Sequence, residues 1–245
     1  MQNGRRLLIG GTSILSSLVA LLGVGTLGLV AYFSPWTYRW SQARRLRSQL
    51  GRKHVLTLTY DDGPNLGMTP RLLDLLNAFD VNATFFMLGQ HVERCPQMVE
   101  RVLAAGHDIG CHADRHLNAW IVPPWRAVAD IEAGYRKMER WLPRDGMFRP
   151  PYGKLTLPTW LCLRLRRAPV WWWTVDSGDT WEVPPQPQEI VNQIIDEGGG
   201  IVLMHDLDGS EDRKEFVLKT SSLLLEAAQR GCFEIKPLSE LAKLC

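Results

Sequence analysis

Cysteine is scarce and unpatterned in this chain. Its five cysteines (Cys95, Cys111, Cys162, Cys232 and Cys245) form no CxxC pair and are odd in number, so neither a disulfide framework nor a structural zinc site is implied. Each reads as a small buried hydrophobe, and their sparing use leans towards a reducing compartment. Acid is missing altogether from the first 53 residues, which carry eight basic side chains: Arg5, Arg6, Arg39, Arg44, Arg45, Arg47, Arg52 and Lys53. With those set aside, 20 basic residues face 26 acidic ones, and a body of that sign does not track nucleic acid or another polyanion by charge. Repeats at fixed period and low-complexity tracts are absent beyond the apolar N-terminus. With 45% hydrophobic and 22% charged residues, 245 residues suffice for one or two domains with a real core, which excludes a disordered chain.

What is present begins with an uncharged run at 7–33, rich in Leu, Val, Ile, Gly and Ala. It is long enough to cross the roughly 30 Å hydrocarbon core as a helix and too long for a cleaved secretory signal. The reading is therefore a single-pass membrane anchor at 1–34, then a basic juxtamembrane linker at 35–53 with Trp36, Tyr38 and Trp40 at the interface, and membrane lipid as a partner. Two arginines precede the span and six basic residues follow it, which by the positive-inside rule favours a cytoplasmic body.

From residue 54 to 245 short apolar runs alternate with amphipathic stretches. Runs at 55–60, 83–88, 108–111, 170–175 and 200–204 predict strands; stretches at 69–79, 97–105, 125–141, 187–197 and 216–230 have helical spacing. Alternation of this kind predicts a parallel α/β sheet closed as a distorted (β/α) barrel. About 190 residues is short for eight strands, so seven are expected.

Each conspicuous polar cluster directly follows a predicted strand. Asp61-Asp62-Gly63-Pro64 follows the first, His112-Ala113-Asp114-Arg115-His116 the third, Asp176 to Asp179 the fourth, and His205-Asp206 the last. The carboxyl ends of parallel strands are where such folds assemble active sites. His112 and His116, four apart on a helical turn, with Asp62, make a two-nitrogen, one-oxygen set suited to a catalytic divalent ion such as zinc. If Asp62 binds the ion, Asp61 is free to take a proton from a water the ion acidifies. His54 and His91 lie outside the clusters and His107 precedes a strand, which leaves His205 as general acid. Taken singly, an Asp-Asp-Gly is usually a turn, and a lone His-x-x-x-His is more often surface or core than ligand. Their joint placement at strand ends favours chemistry. The tryptophans at 171–173 read as core, while Trp120, Trp125 and Trp181 are candidates to stack on sugar.

Over roughly 53–241 the chain resembles the polysaccharide deacetylases with a NodB-homology domain, carbohydrate esterase family four. Five stretches appear in the family's order: Thr59-Tyr60-Asp61-Asp62-Gly63-Pro64, His112-Ala113-Asp114-Arg115-His116, Arg149-Pro150-Pro151-Tyr152-Gly153, Asp176-Ser177-Gly178-Asp179-Thr180-Trp181 and Leu203-Met204-His205-Asp206. The resemblance implies a metal-dependent hydrolase that removes N-acetyl groups from amino sugars in a polymer or oligomer, chitin-like or peptidoglycan-like. It implies Asp61 as base, His205 as acid, and Asp62, His112 and His116 around zinc, with cobalt or nickel as alternatives. It further implies that Arg149 orients Asp61, Asp176 orients the acid, the Tyr152 N–H steadies the oxyanion, and Tyr152, Trp181 and Leu203 line the substrate site. Family habit places the body outside the cytoplasm, against the charge pattern. Tyr60, Ala113 and one extra residue before Trp181 depart from the family pattern without removing a metal or proton-transfer group. A deacylase of a lipid-linked amino sugar and an inert carbohydrate-binding protein on the same fold are the rival readings.

Overall fold

The computed structural model describes residues 11–241, with side chains described from residue 30 onward and at Thr26 and Gly28. Helix α1 (Gly11–Lys53) leads directly into β1 (Val55–Asp61). There follow α2 (Thr69–Ala78), β2 (Thr84–Met87), α3 (Gly89–Arg94), α4 (Pro96–Ala104), β3 (Asp108–Cys111), α5 (Pro124–Met138) and α6 (Leu157–Arg166). The chain ends with β4 (Val175–Asp176), α7 (Pro187–Glu197), β5 (Gly200–His205), α8 (Glu211–Gln229), β6 (Glu234–Ile235) and α9 (Leu238–Leu241).

The helix boundaries follow local chemistry. A proline stands in the first turn of α2, α4, α5, α6 and α7, where its missing N–H has no intrahelical partner to lose. Gln186 and Glu189 cap α7 reciprocally, and Gly198 closes it at φ 76°. Ser210 accepts the Arg213 N–H at the start of α8, where Glu211 and Asp212 complement the helix dipole.

All strand pairs are parallel, in the order β3-β2-β1-β5-β4, with β6 on the lower part of β1. β1 is buried at every position and forms the central stave. Single parallel bridges link Cys111 to Phe148 and Phe148 to Val170, and the chain from Val170 runs on into β4. The sheet thereby curls towards closure as a distorted barrel. Among the described residues six strands, rather than the predicted seven, make up the sheet. The predicted strand at 170–175 shrinks to two residues at its end, because Trp171 and Trp172 turn into the core instead of sustaining a ladder.

The N-terminal expectations are corrected. Among the described residues no helix is long and apolar enough to cross a membrane, so the single-pass anchor at 1–34, the membrane localisation and the membrane-lipid partner are not supported. Residues 1–10 and most side chains up to 29 lie outside those described. The stretch 35–53 is not a free linker. Leu46 and Leu50 are buried in a cluster with Val55, Phe86, Trp171 and Ile201, and Tyr38 meets Trp160 and Trp172 edge to ring. Arg47 donates to the carbonyl of Thr174 and pairs with Glu197 at 3.3 Å. Its basic residues are thus partly committed to the body.

Candidate metal centre

Parallel register brings two of the predicted site residues side by side: Asp61, last in β1, is the partner of His205, last in β5. Asp61 is buried, and its Oδ1 accepts a hydrogen bond of 2.8 Å from Arg149 Nη1, which also donates to Thr59 Oγ1 at 2.6 Å. Burial pushes the Asp61 carboxyl above the usual carboxylate range, while Arg149 and His205 oppose that shift. Its Oδ2 lies 3.7 Å from His112 Nε2 and faces the histidines.

Asp62, His112 and His116 converge. Their ligand atoms lie within 4.8 Å of one another, and both histidine Nε2 atoms stand 3.5 Å from Asp62 Oδ1. That oxygen is buried with no hydrogen-bond partner, a costly arrangement that a cation in the middle of the triad would relieve. His112 Nδ1 is 2.7 Å from the Arg149 carbonyl, which can only accept, so the ring proton sits on Nδ1 and the Nε2 lone pair faces the triad. Burial lowers the His112 pKa to about 3, against the pull of Asp62, and keeps the ring a neutral ligand. The donor set fits a divalent ion such as zinc.

The two histidines do not ride on a helical turn as predicted. Residues 112–116 form an irregular loop in which Ala113 (φ 65°) and His116 (φ 58°) are left-handed. Asp62 (φ 73°) and Tyr152 (φ 56°) share that conformation, so among the described residues four of the seven non-glycine residues with positive φ are at this site. Each costs about 1–2 kcal/mol, which the surrounding structure must offset. α5 holds the histidine loop: Asp130 accepts the N–H groups of Arg115 (3.0 Å) and Leu117 (3.3 Å). A Cβ on Gly134 would come within 2.5 Å of the Ala113 backbone, so only glycine lets the helix approach this closely.

The surroundings of His205 depart from expectation. His205 Nδ1 lies 2.9 Å from Asp179 Oδ1, and the other oxygen of Asp179 accepts the His205 backbone N–H at 2.9 Å. Burial draws the His205 pKa down, but Asp179, helped by Asp61 and Asp62, overcomes it and lifts the value to about 9. Asp176, expected in this role, instead accepts the N–H of Gly178 at 2.9 Å. An Asp two residues before a glycine is an Asx-turn signature, and it marks Asp176 as a turn residue. Asp206 was also overlooked. It is buried beneath the 61–64 turn, donates its N–H to the Asp61 carbonyl, and accepts from Thr69 Oγ1 at 2.5 Å.

These groups open into a pocket of about 370 Å³ lined by Asp61, Asp62, His112, His116, Tyr152 and His205, together with Leu203 and Asp176. Tyr152 is half exposed and stacks obliquely on His116, with ring centroids 4.5 Å apart. Trp181 is not on this wall; it lines the neighbouring cleft.

Fold and site together define an α/β-barrel protein with a candidate catalytic metal centre at the carboxyl ends of its strands. The polysaccharide deacetylase family profile matches residues 49–165. A peptidoglycan-N-acetylglucosamine deacetylase of Bacillus cereus is 34% identical over 193 residues, covering 77% of this chain and 88% of that protein. A chitooligosaccharide deacetylase of a Bradyrhizobium species is 32% identical over 212 residues, covering 81% and 95%. The crystal structure of the Bc1960 peptidoglycan N-acetylglucosamine deacetylase matches with a TM-score of 0.68 and 26% identity, over 77% of this chain and 87% of that one. The chain belongs to the polysaccharide deacetylase family, carbohydrate esterase family four with its NodB-homology domain.

Proposed function

We propose that this protein hydrolyses the acetamide of N-acetylated amino sugars in a polymer or oligomer, peptidoglycan-like or chitin-like, with zinc as its resident ion. The observation that carries the reading is the buried, unpartnered Asp62 Oδ1 midway between two histidine Nε2 atoms, beside an acid–base pair matched in strand register. The names of the relatives from Bacillus cereus and Bradyrhizobium point to the same substrate class.

Asp62, His112 and His116 would hold the ion, which when bound polarises the acetyl carbonyl and acidifies a water. Asp61 accepts the proton of the attacking water at Oδ2, because Arg149 already occupies Oδ1. The Tyr152 N–H, in the first turn of the 3-10 segment Pro151–Gly153, has no intrahelical acceptor and serves the developing oxyanion. Leu203 offers an apolar wall to the acetyl methyl group. His205 keeps its Nδ1 proton on Asp179 and delivers the Nε2 proton to the departing nitrogen as the carbon–nitrogen bond breaks. The products are acetate and a free amino sugar.

Acetate release from N-acetylchitooligosaccharides and peptidoglycan fragments tests this. Release is expected with zinc, is lost to a chelator and returns with the ion. Saccharide binding without release would instead support an inert carbohydrate-binding protein on the same fold.

A further inference from the structure

Beside the catalytic pocket lies a second, larger opening of about 560 Å³, formed between α1 and the β4 end of the barrel. The two share Trp173 and Asp176 as a common wall, so the cleft continues the pocket. The α1 side of the cleft presents Trp36, Arg39 and Trp40, and Trp181 faces it from the loop after β4. Trp36, Trp40 and Trp181 are 45%, 58% and 52% exposed, unusual for the residue type with the most apolar surface to hide. Clustered exposed aromatics rimmed by polar groups mark ligand surfaces.

The helix is held rigidly where it matters. Arg39 Nη1 donates to the Gly153 carbonyl at 3.0 Å, and its guanidinium lies 4.6 Å over the Trp173 ring. A Cβ on Gly153 would come within 2.7 Å of that guanidinium. α1 is thereby clamped to the loop that carries Tyr152, next to the reacting centre. Flat aromatic faces suit the apolar C–H faces of a pyranose ring, and a carboxylate and a guanidinium at the edges suit its hydroxyls.

We propose that the cleft between α1 and β4 is a carbohydrate subsite that binds another sugar ring of the same substrate chain, next to the ring in the catalytic pocket. A polymer threaded through the 370 Å³ pocket must lay its neighbouring rings on adjoining surface, and this aromatic cleft adjoins it. The inference rests on the deacetylase reading for its substrate and extends it to α1, which supplies substrate contacts from outside the barrel.

The test compares an N-acetylglucosamine dimer with a pentamer on the zinc-loaded full chain carrying Trp40→Ala, Trp36→Ala or Trp40→Phe. The ratio of kcat/KM for pentamer over dimer falls about tenfold in each alanine variant and largely returns in Trp40→Phe. Equal loss on both oligomers, or no loss on either, overturns the subsite. Calorimetric titration of the same variants with the pentamer gives a second readout that needs no turnover. There the Kd rises about tenfold for Trp40→Ala, and an unchanged Kd overturns the subsite. If the unaltered protein releases no acetate from either oligomer, the deacetylase reading fails, and the cleft is then judged by the titration alone.

Discussion

The two halves of this candidate site are built on different terms. On one side Asp61, Asp62, His112 and Arg149 are buried and held from strand ends, with main-chain atoms doing much of the holding: the Arg149 carbonyl fixes His112, and the Asp61 carbonyl takes the Asp206 N–H. On the other side His205 ends β5, Asp179, Asp176 and Trp181 are placed around it by a loop that turns on Gly178, and the outer wall is lent by α1. The first half shapes a charge-dense centre that tolerates little change. On the proposed reading the second sets proton delivery and substrate reach.

The sharpest break of that comparison is at the buried half. Asp61→Asn lowers kcat by about 10³- to 10⁴-fold with bound-metal content unchanged, whereas His112→Ala loses the metal as well. Elemental analysis alongside acetate release separates the two, and substantial turnover in Asp61→Asn removes Asp61 from the role of base. Next in size is Arg149→Met, which leaves Asp61 in the core without its partner and costs about 3–5 kcal/mol in urea denaturation. A cost under about 1 kcal/mol would mean that water reaches Asp61 and that the half is not closed.

α1 offers the next test. Leu50 is buried against the barrel, so Leu50→Ala costs about 2–4 kcal/mol if residues 35–53 belong to the cooperative unit. A free linker would lose nothing measurable in the same denaturation curve.

The buried half was legible because its residues close strands whose apolar runs are plain: Asp61 ends β1 with Asp62 next, and His112 follows β3. Parallel pairing then does the assembly, as the register of Asp61 with His205 shows. Less legible was anything decided by loop geometry or by distant packing. The His112–His116 spacing suggested a helical turn, but left-handed Ala113 and His116 bring the rings together instead. Phe148, which joins the sheet by single bridges on either side, carries no strand-length pattern at all. The basic, aromatic stretch at 35–53 reads as interfacial by composition, since nothing local reveals that Leu46 and Leu50 have a barrel to pack against.

The smallest predicted effect lies in the other half and separates two neighbouring aspartates. Asp179 grips His205 through both oxygens and raises its pKa to about 9, whereas Asp176 spends an oxygen on its own turn. Asp179→Asn therefore removes the main support for the imidazolium, and the His205 pKa falls. The acid must carry its proton to act, so the alkaline limb of kcat/KM moves to lower pH, with a loss of about 10- to 100-fold near the former optimum. Asp176→Asn keeps the limb close to its original position. Should Asp176→Asn move the limb further than Asp179→Asn, proton delivery would run through the residue that the family resemblance indicates, and the Asx turn at Gly178 would have to open in the working enzyme.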